Sequence, residues 1–530
     1  MTAVLLAATP LLPLAMLAAL AWGPAREKVP DWLWVAPLPG LACAIFAAGG
    51  PPLVLDGRLR LNLALDAPGA LLLGAASLLW AVAGVYARGY FAGSPGLPRF
   101  AAWWLATMAG SLGVFVAGDL IGFYLVYALA SLPAWGLVIH DRTARAWRAG
   151  GLYLTLTLLG EAALLGAFAL LAAFAPGESL AITDVLRALP TSPLRDVTIA
   201  MLVIGFGLKA GLVPLHVWLP LAHPAAPAPA SAVLSGAIIK AGIIGLLRFL
   251  PPEATPEAWG GLLAVVGFVT AFWGVACGVT QREAKAVLAY SSVSQMGVAT
   301  AAFGLGMAHG LPGTAGAVAA YALAHVLAKG ALFLSVGVVG AGRLAVLVPA
   351  LVLALGFGGL PLTGGWFAKA MVKDAFAGDL AAGLAAASAA GSTVLMLHFV
   401  RRLAAMEGAR PALPLVACWL AMAALAMAVP WALFGIEAPA LLTPAELWKA
   451  LWPVLLGAAG FMLLWRAGDR MPELPQGDVV VLAGPLRHSM ARLAAVLAGV
   501  ETVFRSWPVA GLALLAMSLA FGVALGGAGR

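Results

Sequence analysis

KAGLVPLHVWLPLAHPAAPAPASAVLSGAIIK, residues Lys209–Lys240, begins and ends on a lysine and holds two histidines and five prolines. It lies in a chain that is 63% hydrophobic and 10% charged, with a mean hydropathy of +1.01, so charged side chains there stand against their surroundings. A soluble domain cannot keep that much apolar surface from water. Repeated apolar runs of about 20 residues have the length that crosses a bilayer as helix. The stretch therefore reads as part of an all-α polytopic membrane protein whose backbone is interrupted within the membrane.

Working outward, apolar runs lie near 3–23, 32–50, 68–87, 100–117, 120–139, 151–174, 198–213, 228–250, 258–280, 286–306, 314–340, 349–372, 381–400 and 412–434, with two more near 446–465 and 507–526. The first run is followed by Arg26 and Lys28 and reads as a span, not a cleaved leader. ESLAITDVLRALP, after Gly177, is too polar to span and reads as a short surface helix. With the N-terminus outside, eighteen Lys and Arg fall in inside loops and eight in outside loops. That excess supports the orientation and the parity of the spans. The net charge of +8 is then a topology signal, and no basic run points to nucleic acid. Cys43, Cys277 and Cys418 are isolated, so neither a metal site nor a disulfide framework is expected.

The four remaining basic residues, Lys209, Lys240, Lys329 and Lys369, fall inside or at the ends of apolar runs. A mid-membrane lysine costs roughly 2.5–3.5 kcal/mol on insertion scales. Snorkelling could serve Lys329 or Lys369 but not Lys209, which follows IAMLVIGFGL deep in its run. Pro214 interrupts the chain just after Lys209, and Gly358, Gly359, Pro361, Gly364 and Gly365 interrupt it just before Lys369. Broken backbone at membrane depth is tolerated where it is buried in protein or lines a water-filled cavity. Two such breaks in corresponding positions point to an ion path.

These residues resemble the antiporter-like subunits shared by respiratory complex I, Mrp-type cation/proton antiporters and membrane-bound hydrogenases. The motifs are GLKAGLVPLHVWLPLAHPAAPAPASAVLSGAIIKAG (207–242), QREAKAVLAYSSVSQMG (281–297), AHVLAKGALFLSVG (324–337) and GGLPLTGGWFAKAMV (358–372). The resemblance covers roughly 60–410. It implies fourteen core helices with broken helices 7 and 12. The expected division is helices 1–3 in 1–97, inverted five-helix repeats in 98–250 and 251–405, helix 14 in 406–440, and an appendage in 441–530. That appendage reads as about two spans joined by an amphipathic cytoplasmic-face helix, packing against a neighbouring subunit. The resemblance also implies a proton relay through Lys209, Lys240, His325, Lys329 and Lys369. His216, His223, Pro214, Pro361, Ser291, Ser292 and Gln295 would gate or support it. The expected setting is a bacterial-type inner (plasma) membrane, in a complex with other membrane subunits.

Two departures bear on function. Ala128, in FYLVYALASLPAWGLV, stands where the family carries the glutamate that pairs with the central lysine, and Leu221 replaces an aspartate. Glu161 is the only acid deep in the sixth span and the best candidate for a relocated partner, with a structural acid as the equal alternative. Asp119 reads as a helix cap, Asp66 with Tyr86 and Tyr90 as interface anchoring, and His398 as structural. Three functions remain open: a subunit moving protons, or protons in exchange for sodium; a scaffold or coupling subunit with a partly degenerate channel; and a subunit feeding proton flow to a partner such as an inorganic-carbon uptake enzyme. The sequence carries no nucleotide, flavin or metal motif, so no cofactor and no independent catalysis are expected.

Overall fold

The computed structural model describes residues 1–56, 61–175, 179–467 and 473–482. Among these, thirteen helices are long and apolar enough to cross a membrane, which establishes an all-α polytopic membrane protein. The chain divides into a unit Met1–Gln476 and a unit Gly477–Arg530; in the second, the described part is a short helix, Asp478–Leu482. The expected span 507–526 and the amphipathic helix before it lie outside the described residues.

Side chains placed at the ends start the helices. Asp66 caps Ala67–Tyr90 by accepting from Gly69 N–H (2.7 Å), and Asp119 caps Leu120–Ser131 by accepting from Gly122 N–H (2.7 Å). Asp119 thus caps as expected; it is fully buried and also accepts from Asn62 N–H (2.8 Å). Asp66 does more than anchor at an interface. Arg248 grips it with Nε (2.8 Å) and Nη2 (3.0 Å) while donating to the carbonyls of Val114 (2.9 Å) and Phe115 (2.6 Å). A cation at the last carbonyls of Leu97–Val116 complements that helix's dipole.

The run near 32–50 is not one spanning helix. It forms a turn, Val29–Trp32, and a nine-residue helix, Leu38–Phe46. Pro37 and Pro39 at its start and Gly49, Gly50, Pro51 and Pro52 beyond it confine regular helix to those nine residues. At 1.5 Å per residue they reach about 14 Å, half a hydrocarbon core. A small antiparallel pair follows, Leu53–Asp56 with Leu61–Leu63. After the fifth and sixth runs, Ile182–Ala188 is the short helix expected beyond Gly177.

Close helix packing builds the interior that holds the site. Gly260, Gly267 and Gly274, each seven residues apart on Glu257–Gly278, meet Ala284–Ala308 at Gly304, Gly297 and Ser294 in turn. A Cβ on Gly267 would lie 2.4 Å from Ala301 N, so only glycine lets these backbones touch. Ala284–Ala308 is thereby enclosed, and it carries Ser291, Ser292 and Gln295.

Candidate functional site

The helix Arg195–Ala210 carries Lys209 in its last turn and ends at Gly211, whose φ of +83° only glycine adopts readily. Leu212 N–H returns to Gly207 O (2.8 Å), and Pro214 sits in the turn before the helix resumes at Trp218–Ala225. Trp218 Nε1–H spans the break to Leu208 O (2.9 Å), and Val213 N–H donates to Thr270 Oγ1 (3.1 Å). The second break runs from Arg343–Gly356 to Gly364–Met371 through Pro361, with positive φ at Gly359 and Leu362. Trp431 Nε1–H donates to Leu362 O there (2.9 Å). An indole thus satisfies a freed carbonyl at each interruption, which is how irregular backbone survives away from water.

Lys209 is buried, with Nζ 5.6 Å from the Tyr127 ring centre and 5.7 Å from that of Tyr153. Tyr153 O–H donates to Ser131 O (2.7 Å), and the Ser131 hydroxyl donates to Tyr127 O (2.7 Å). Glu161, also buried, lies beside Ser131 and is the acid whose field reaches Lys209. Among the described residues, neither Lys209 Nζ nor either Glu161 oxygen has a hydrogen-bond partner. The two therefore share one pocket without a direct ion pair. Tyr124, Tyr127, Ala128 and Ser131 follow the i, i+3, i+4, i+7 spacing of one helical stripe, so Ala128 lies on the stripe that faces this pocket.

Lys240 opens the helix Lys240–Phe249, directly after a π-helical turn, Leu234–Ile238. Its Nζ donates to Ser235 O (3.0 Å) and lies 2.5 Å from His325 Nδ1. The Ser235 and Ser292 hydroxyls bond at 2.7 Å. Lys329, one turn beyond His325, donates to Leu288 O (2.9 Å) with its Nζ 4.9 Å from the Phe357 ring centre. Lys240, His325, Lys329 and Ser292 thus form one fully enclosed cluster. Gln295 donates to Ser392 (2.9 Å) and accepts from Tyr321 O–H, while Ser291 turns to Met396 Sδ (3.0 Å).

Lys369 stands apart from the cluster. It shares a small cavity of about 20 Å³ with His325, Gln295 and Tyr321, and it also borders a larger one of about 560 Å³. Lys209 is likewise separate from Lys240, although Gly242 brings their two helices to backbone contact. His216 is buried with its ring 6.3 Å from that of Tyr290, and His223 stacks on Phe333 at 4.6 Å. His398 Nε2–H donates to Gln281 O (2.7 Å), tying Asp379–Ala404 to the loop before Ala284.

Sequence reading missed several partners. Tyr127 and Tyr153 are two of only seven tyrosines, and Tyr153, near the start of its apolar run, reads from sequence as an interfacial anchor. The π-turn has no simple signature in SAVLSGAIIK. Lys285 reads as a loop charge, yet its Nζ donates to Ala226 O (2.6 Å) at the end of the interrupted seventh helix. No cluster of metal-ligating side chains occurs among the described residues.

A membrane-spanning bundle with two stapled breaks and a row of buried lysines defines an antiporter-like membrane protein. Residues 117–397, just over half of the chain, match the family described as NADH:quinone oxidoreductase/Mrp antiporter, transmembrane, and the chain belongs to that family. It is 33% identical to hydrogenase-4 component B of Escherichia coli K12 over 53% of this chain and 43% of that one. It is 30% identical to a probable K(+)/H(+) antiporter component of Rhizobium meliloti over 64% of this chain and 36% of the relative. With an NADH-quinone oxidoreductase component (N) of Rubrobacter xylanophilus it shares 30% identity over 53% of this chain and 62% of that one. The matches thus span less than two thirds of these relatives' lengths. In fold it is similar to a chain of the Mrp complex from Dietzia sp. DQ12-45-1b, with a TM-score of 0.77 over all of this chain and 63% of that one, at 22% identity.

Proposed function

We propose that this chain is a proton-translocating subunit of a larger membrane complex, moving protons, or protons in exchange for a metal cation such as sodium. The path runs from Lys209 with Glu161, through Lys240, His325 and Lys329, to Lys369. The observation that carries the reading is the row of lysines, Lys209 and Lys369 on interrupted helices and between them Lys240 with its Nζ 2.5 Å from His325 Nδ1. Amines suit this work because each can hold or release a proton as neighbouring charges change, which arginine cannot do. His216, His223, Pro214 and Pro361 support the interrupted segments, and Ser291, Ser292 and Gln295 fix the polar face of the enclosed helix. The charge count of the loops favours the N-terminus outside, and the setting proposed is an inner (plasma) membrane.

The test is proton flux in vesicles containing the purified complex. Lys209→Ala should abolish coupled flux while assembly persists, and Lys209→Arg should fail as well. Parental flux in the alanine variant refutes the central role of Lys209. Ala128 favours a second reading, a scaffold with a decayed channel, and the same result would support it.

A further inference from the structure

The helix Pro444–Ala467 lies beyond the family match, and from sequence it reads as packing on a neighbouring subunit. It is also wedged against the second break of its own chain. A Cβ on Gly457 would meet Ala390 O at 2.4 Å and Thr393 Cβ at 2.5 Å, and one on Gly358 would meet Val454 at 3.2 Å. Gly359, with φ +98°, gives room to the Lys369 stem, and Ala450 O lies beside that space. The cavity of about 560 Å³ between these parts is bordered by Lys369, Lys373, Asp374, Ser388, Glu446 and Lys449. That is room for on the order of ten or more waters. Lys369 also borders the small cavity reaching His325, so it stands where the enclosed path meets open space.

We propose that helix Pro444–Ala467 is a wall of the relay's outlet, and that Glu446 is the carboxylate at its mouth that takes protons from Lys369. The proposal rests on the lysine-relay reading above. An N–H bond of the Lys369 ammonium breaks with its electron pair returning to nitrogen. The proton crosses the cavity's water by exchange of O–H bonds, and an O–H bond forms on Glu446. Release of that proton to bulk water restores the carboxylate and its pairing with Lys449 (2.7 Å). Glu446 suits this better than Asp374 because it is half-buried at the cavity's rim while Asp374 is exposed. Lys369, Lys373, Asp374 and Lys449 are the other charged groups bordering the cavity.

Two measurements on the whole complex test this. Glu446→Gln should lower proton flux about tenfold and flatten its dependence on pH at the outlet face, and Glu446→Asp should restore much of both. Ser388→Cys places a thiol on a buried position that borders the cavity. In a Cys418→Ser background, whose remaining Cys43 and Cys277 are buried, it should react with a small cationic thiol reagent far faster than the same parent without the Cys at 388. Unchanged flux and pH profile in Glu446→Gln, with Lys209→Ala inactive, overturn the role of Glu446. A thiol at 388 that labels no faster than the parent overturns the water-filled outlet. Parental flux in Lys209→Ala would instead sink the relay, and the labelling would still decide whether the outlet exists.

Discussion

If Glu161 has taken over from the acid lost at Ala128, its charge must be felt by Lys209. The two groups face one another past Tyr127, Ser131 and Tyr153 without touching. Opposite charges about 4 Å apart at an effective dielectric of about 20 attract by about 4 kcal/mol; a pair that does not touch attracts by less, on the order of 2–3 kcal/mol, about 30- to 150-fold in an equilibrium. Glu161→Gln leaves a buried ammonium with no facing acid, and Lys209→Met leaves a buried carboxylate with no facing cation. Each single variant should therefore lose that attraction, and the double variant should lose it only once. In a double-mutant cycle read from unfolding in mild detergent, the coupling should be about 2–3 kcal/mol. Proton flux should fall alike in all three. Adding Ala128→Glu to Glu161→Gln should restore part of the flux, because position 128 shares the stripe of Tyr124, Tyr127 and Ser131. Additivity within about 0.5 kcal/mol, or normal flux in Glu161→Gln, would refute the relocated pair and leave Glu161 a structural acid.

Lys240→Met should unfold at lower temperature than Lys209→Met as well as losing flux. It strips the donor from Ser235 O and His325 Nδ1, at about 1–3 kcal/mol for each buried group left bare, and equal midpoints would contradict the assigned bonds. Arg248→Lys cannot keep the two-pronged grip on Asp66 and the bonds to Val114 and Phe115 together. It should lose about 1.5–3 kcal/mol per charge-assisted bond given up, lowering yield and unfolding temperature while flux per assembled complex stays parental; parental stability would refute the clamp.

The spans were legible because burial in lipid demands long apolar runs, and both interruptions were legible because glycine and proline announce them. The run at 32–50 misled for the same reason in reverse. Hydropathy counts its apolar residues, but regular helix holds only from Leu38 to Phe46. Glu161 could be named from sequence as a candidate partner of Lys209, with a structural acid as the equal alternative, since an apolar run leaves few charges to choose among. The tyrosines around Lys209 could not, because tyrosine in a membrane protein reads first as an interfacial anchor. The seven-residue glycine spacing at 260, 267 and 274 was visible in the sequence, yet it gains meaning only beside Ser294, Gly297 and Gly304. Arg248 read as a loop charge because composition cannot show that its guanidinium folds back onto Asp66.

The geometry at His325 shows how the two halves of the row could communicate. Its Nδ1 lies 2.5 Å from Lys240 Nζ, so the charge on Lys240 sets the tautomer. A charged Lys240 can only donate, which makes Nδ1 the acceptor and leaves the ring proton on Nε2. A neutral Lys240 can accept, which lets the ring proton move to Nδ1 and leaves Nε2 an acceptor. Nε2 has no hydrogen-bond partner among the described residues, and His325 borders the small cavity that Lys369 also borders. That cavity, about 20 Å³, has room for about one water. Gln295 is already engaged by Ser392 and Tyr321, so its amide does not compete for such a water. A single water there would meet a donor when Lys240 is charged and an acceptor when it is not. The imidazole would then pass the charge state of Lys240 to Lys369 without itself carrying a net charge.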